Sequence, residues 1–207
     1  MPRLSAPDCQ LRSTTGTYNK LKRRFYDRPT LEVARDIVGK YLVFDSPEGP
    51  MSARIVETEA YIGQDDAACH AARGKTRRNE VMFGKPGFTY IYFIYGMYYC
   101  LNFVTESEGK PAAVLIRAAE PVDGIELMQF NSPGKRRLDL LAGPGKLCRS
   151  FGLTRDQNGL DLTGDIIYLE ERSKERVKIS TSARIGINQA TEHPWRFFDA
   201  ETEVRLK

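Results

Sequence analysis

Between Phe88 and Val104 the chain is rich in aromatic and β-branched residues and is broken once, at Tyr95-Gly96. Such residues suit a pleated, half-buried surface, and a glycine at the break supplies the turn of a hairpin. The segment therefore predicts two antiparallel strands, and with them a sheet for the rest of the chain to pack on. Five of the ten tyrosines fall within Tyr90–Tyr99. They read either as a well-packed sheet core or as a half-open pocket that stacks flat ligands. A dry core is a poor place for so many hydroxyls, each of which needs a partner. Tyr92 and Tyr95 have opposite parity in a regular strand, so one can line a pocket while the other, at the turn, points outward.

A second segment carries the candidate chemistry. Met51–Tyr61 reads as one long strand, and within it Ile55-Val56-Glu57-Thr58-Glu59-Ala60-Tyr61 alternates in type. Alternation predicts Glu57, Glu59 and Tyr61 on one face, with Val56, Thr58 and Ala60 on the other. A carboxylate beside an aromatic platform suits an enzyme that holds a planar ring and activates water next to it.

The remaining pattern predicts a helix over Thr30–Lys40 and a short strand at Tyr41–Phe44, then a turn at Ser46–Pro50. Gly63–Gly87 is loop with a short helix. Ala112–Ala118 is a strand, Val122–Phe130 a helix, and Gly143-Pro144-Gly145 opens a short helix to Phe151. Strands at Ile166–Glu170 and Val177–Thr181, with the tail from Arg184 to Phe198, complete a mixed, mostly antiparallel sheet, and Glu171–Arg176 is a charged turn. Strands grouped without regular β-α alternation give an α+β fold. At 207 residues the chain fits a single domain, 21–207, preceded by a flexible polar arm over 1–20.

Composition excludes several classes. No apolar run approaches the ~20 residues of a membrane span, so no membrane partner is expected. Four scattered cysteines without C-x-x-C spacing and only two histidines argue against a structural zinc site and a disulfide scaffold. No metal or cofactor is expected, and the cytoplasm is the expected compartment. The net charge of +4 is modest, but Arg73, Lys75, Arg77, Arg78 and Lys85 gather in one stretch. They read as a solvated face or as the footprint of a polyanion.

Arg117 sits in an otherwise apolar run. It is either a strand-end arginine in solvent or a buried one that needs a carboxylate, for which Glu57 and Glu59 are natural partners. Asn102 shares a face with Tyr98 and Cys100. Gly143-Pro144-Gly145-Lys146 lacks the residues of a nucleoside-triphosphate loop, yet a helix start beside a lysine can hold one backbone phosphate.

Taken in order, Arg54–Tyr61, His70, Met82–Gly87, Tyr92–Asn102, Leu115–Pro121 and Gly143–Cys148 resemble the alkyladenine (3-methyladenine, methylpurine) DNA glycosylases. The resemblance runs from about Phe25 to Phe198. The final stretch, Asp199–Lys207, departs from the ending expected of that family. The resemblance implies a single α+β domain on a curved antiparallel sheet with a DNA-facing hairpin. It implies a monomeric, monofunctional enzyme that flips damaged purines out of double-stranded DNA and hydrolyses their N-glycosidic bond. Glu59 would be the general base and Arg117 its partner, with Tyr61, His70, Tyr92 and Asn102 forming the base pocket. Tyr95 would fill the gap in the duplex, and Lys75, Thr76, Arg78 and Lys146 would meet the DNA backbone. A non-catalytic module that stacks exposed bases is the alternative.

Overall fold

The computed structural model describes residues 18–173, 176–204 and 206. Most of the expected arm, and two residues of the charged turn, lie outside these. The fold is α+β. Nine strands form one curved sheet, and every pairing among the described residues is antiparallel. The strands are β1 (Asn19–Lys20), β2 (Tyr41–Ser46), β3 (Gly49–Ile62), β4 (Thr89–Ile94), β5 (Tyr98–Val104), β6 (Ala112–Asp123), β7 (Ile167–Glu171), β8 (Ile179–Ser182) and β9 (Arg196–Asp199). Their order is β1-β7-β2-β3-β6-β5-β4, with β8 and β9 attached through β9 to the far half of β3. The helices are α1 (Arg23–Tyr26), α2 (Thr30–Ile37), α3 (Ile125–Asn131) and α4 (Pro144–Phe151). None is long and apolar enough to cross a membrane.

Several elements differ from expectation at their ends. Asn19 and Lys20, placed with the arm by sequence, pair with Glu170 and Glu171 of β7. The sixth strand continues through Val122 to Asp123, so the predicted helix starts three residues late, at Ile125 after a left-handed Gly124. The tail is a strand only at Arg196–Asp199, and the sheet is antiparallel rather than mixed.

The two faces of the sheet do different things. One carries the main core: Val33, Ala34 and Ile37 of α2 meet Leu42, Ile55, Ala60 and Ile116, while Leu147 and Phe151 of α4 meet Leu101 and Phe103. Each buried valine, leucine, isoleucine or phenylalanine among them gains about 1.5–3 kcal/mol on burial. Thr58, on this face, donates its hydroxyl to the Ala34 carbonyl of α2 at 2.8 Å. This buried bond locks the parity of β3, and so turns Glu57, Glu59 and Tyr61 to the other face.

Strict alternation fails at one point. Register shifts between β3 and β6 leave Val56 and Arg117 without a direct cross-strand partner. Val56 packs with Ala118, Ala142 and Val204, away from the cluster that holds Ile55 and Ala60. The expectation that Val56 shares a face with Thr58 and Ala60 is thus corrected: a bulge turns it to the opposite side. Bulges of this kind re-aim side chains and favour active sites.

Candidate active site

The second face of the sheet opens into a cavity of about 530 Å³. Its floor comes from β3, β5 and β6, and one wall is the β4–β5 hairpin. The start of α4 closes another side. A Cβ on Gly145 would stand 2.9 Å from the Tyr98 ring, so glycine is what lets α4 approach the hairpin this closely.

Two carboxylates and two arginines form a buried cluster beneath the floor, of which Glu57 and Arg117 reach the cavity. Glu59 is 0% exposed. Its Oε1 accepts the Ile185 backbone N–H at 2.7 Å and lies 3.3 Å from Arg117 Nη1. Its Oε2 accepts the Tyr61 hydroxyl at 2.8 Å. Arg117 is buried, not a solvent-facing strand end, and donates through Nε to Glu57 at 2.8 Å. Glu57 also accepts from Arg196 Nε. The structure therefore separates the pair. Two guanidinium groups tie up Glu57, whereas Glu59 shares one, at a longer distance, and otherwise has neutral donors. Burial raises the pKa of Glu59 above the carboxylate value; Arg117, the Ile185 N–H and Tyr61 oppose the rise, and Glu57 adds to it. A base raised towards neutrality is the better proton acceptor. Glu57, Tyr61 and Arg117 line the open cavity, and Glu59 lies behind them in contact with Tyr61 and Arg117.

The walls are aromatic. The Tyr92 and His70 rings meet edge to face with centroids 4.4 Å apart, and Tyr90 lies 5.5 Å from Tyr92. His70 Nδ1 and the Tyr90 hydroxyl share a hydrogen bond of 2.9 Å. Burial, and then the nearby Arg78 guanidinium, lower the His70 pKa to about 4, so the ring is neutral at pH 7. Asn102 is buried at the base of the cavity, its amide nitrogen held by the carbonyls of Tyr90 (3.0 Å) and Cys100 (3.3 Å).

Tyr95 stands apart from this wall. It is 76% exposed at the hairpin tip and has a φ of 54°, a left-handed value uncommon for tyrosine. Gly96, with φ 67°, completes the turn. Strain at an exposed aromatic is the kind that persists at functional sites.

The expected backbone contacts are dispersed. Lys75, Thr76 and Arg78 are exposed on the segment after His70, and Lys146 is exposed at the cavity rim. Arg78 leans inward, with its guanidinium 5.3 Å from the Tyr92 ring. Sequence reasoning missed the roles of Ile185, Arg184 and Asp66. The Ile185 contact is a backbone N–H, which leaves no residue-type signal.

Fold and site together define a class: an α+β protein whose sheet carries a buried, arginine-paired carboxylate beneath an aromatic cavity with an exposed tyrosine at its rim. Residues 24–203 match the family described as methylpurine-DNA glycosylase (MPG). A protein of Methanocella arvoryzae named "Putative 3-methyladenine DNA glycosylase" is 54% identical over 185 residues, covering 86% of this chain and 92% of that one. Proteins of the same name from Alkaliphilus oremlandii and a Wolbachia strain of Brugia malayi are 48% and 51% identical, each covering 86% of this chain and 95% of their own length. The chain belongs to the methylpurine-DNA glycosylase family, and its class of activity is that of a DNA glycosylase.

Proposed function

We propose that this glycosylase flips alkylated or deaminated purines (3-methyladenine, 7-methylguanine, hypoxanthine) out of duplex DNA and hydrolyses their N-glycosidic bond, leaving an abasic site. The observation that carries this reading is the juxtaposition of Glu59, shared by Arg117, Tyr61 and Ile185, with a cavity walled by Tyr61, His70 and Tyr92. At about 530 Å³ the cavity falls inside the ~300–1,000 Å³ range of small-ligand sites, large enough for a nucleoside turned out of the duplex.

Each group then has a task. Flipping costs a few kcal/mol in lost stacking. Tyr95 offsets part of that by filling the gap, as bulky side chains do between base steps, and the cavity rings return about 1–3 kcal/mol on stacking. Alkylation places positive charge on the purine, which favours tyrosine faces, and a neutral His70 does not repel it. Asn102 crowds the purine 2-position and disfavours the amino group of unmodified guanine, a penalty that the cationic, readily released 7-methylguanine offsets. Glu59 takes a proton from water, and its negative charge opposes the cationic sugar that forms as the base leaves. General-base catalysis supplies about 10²–10⁴-fold; positioning and electrostatics must supply the rest. Lys146 at the rim is exposed, without the desolvation that activates many amine nucleophiles, which favours simple hydrolysis without strand cleavage.

Salt distinguishes this reading from hydrolysis of free nucleosides. Release of the base from a damaged duplex should fall steeply between 50 and 200 mM salt as phosphate contacts weaken, with no release from the free nucleoside. Salt-independent release, or turnover of the nucleoside alone, would point to a small-molecule hydrolase.

Replacing Tyr95 with alanine should weaken flipping. Fluorescence of a 2-aminopurine beside the lesion should rise less on binding, and single-turnover release should slow. Unchanged fluorescence and rate would remove the wedge role.

A further inference from the structure

A second buried ion pair lies beside the site and outside its chemistry. Arg184 and Asp66 are paired twice, Nη1 to Oδ2 at 2.6 Å and Nη2 to Oδ1 at 2.8 Å, with both side chains fully shielded. Arg184 also donates to the carbonyl of Ala60, the residue between Glu59 and Tyr61, at 2.9 Å, and to that of Ala190 at 3.2 Å. Its guanidinium lies 4.7 Å from the Tyr61 ring and 5.0 Å from Trp195, which stacks on His193. Asp66 in turn accepts the N–H groups of Ile62 and Ala68, fixing the segment that leads to His70.

We propose that Arg184, locked by Asp66, is a positioning residue for the reaction: it holds the next residue's N–H, that of Ile185, on Glu59 and the Tyr61 ring in place. This rests on the reading of Glu59 as the base. Three observations carry it. Residues 183–195 contain no regular structure, so side-chain anchors set their path. The link from Arg184 to the base is one residue long and ends in a 2.7 Å hydrogen bond. The anchor is also costly, because the buried Arg184 Nε has no hydrogen-bond partner among the described residues. A buried ion pair with an orphaned donor is weak stabilisation, and its retention beside the base fits a positional task.

The groups around Glu59 that could mask the effect are Arg117 of β6, Glu57 and Tyr61 of β3, and Arg184 itself. The test uses Arg184→Lys and the neutral pair Asp66→Asn with Arg184→Gln, which leaves no buried charge unpaired. Single-turnover release of hypoxanthine from a duplex is followed against pH, and duplex affinity is measured in parallel. The expected result is unchanged affinity, a plateau rate lower by on the order of 100-fold, and an acid limb moved to higher pH as Glu59 loses a donor that favours its anion. A folded variant with the wild-type rate and acid limb overturns the proposal, and if the neutral pair does not fold, Arg184→Lys decides. Failure of the underlying reading looks different: no hypoxanthine released by the wild-type protein, or release by Glu59→Gln as fast as by wild type, would show it before any Arg184 variant is made.

Discussion

Replacing Glu59 with glutamine is expected to slow release of a damaged purine by on the order of 10³–10⁴-fold while duplex binding persists. Glutamine keeps the shape, and its single carbonyl oxygen can accept the Ile185 N–H while its amide group donates to the Tyr61 oxygen, but it neither takes a proton nor offers charge to the developing cation. The same substitution carries a stability signature. The Glu59 pKa is raised above its ordinary 4.5, by burial first. For a raised group, stability is fully present below the unfolded value and is lost as pH rises through the folded value. Glutamine escapes that loss. Glu59→Gln should therefore melt at a higher temperature than wild type at pH 8, with the difference closing near pH 4. The wild-type rate should fall on its acid side at a pH above that of an exposed glutamate. A folded Glu59→Gln with near-normal release would remove Glu59 as the base. Loss of release in a folded Glu57→Gln, with Glu59→Gln active, would move the role to Glu57.

Asp66→Ala is expected to be the most destabilising single change near the site. It strands the Arg184 guanidinium in the interior and frees two backbone N–H groups. Removing one partner of a buried pair costs about 3–5 kcal/mol. For a chain of this size, at roughly 2–4 °C per kcal/mol, the melting temperature should drop by roughly 10 °C. Calorimetry at pH 7 checks this. A loss within about 0.5 kcal/mol, the level of an ordinary surface change, would mean that the pair contributes nothing to holding the loops together.

The sequence showed the strands that carry chemistry because their signal is local. Alternation in Glu57-Thr58-Glu59-Ala60-Tyr61 and the Tyr95-Gly96 break need only neighbouring residues to be read, and the structure places Tyr61, Arg117, His70, Tyr92 and Asn102 around one cavity, with Glu59 behind Tyr61 and Arg117. What stayed hidden depends on distance along the chain. The Val56 bulge follows from the register against β6. The Asp66–Arg184 pair spans 118 residues, and the Ile185 contact is made by a backbone atom common to nearly every residue. The far end of β6 is not legible locally because Glu120-Pro121-Val122-Asp123 has no alternation, although Arg54 draws Glu120 into the sheet.

The central claim is hydrolysis of a glycosidic bond in DNA, and the products test it most directly. The wild-type protein is incubated with a duplex carrying a single hypoxanthine, and the mixture is divided for chromatography of free base and for strand analysis with and without alkali. The account predicts free hypoxanthine in equal amount to a site that breaks only after alkali. Tight binding of the duplex with no free base and no alkali-labile site would contradict it, and would leave a module that stacks bases without cutting them free.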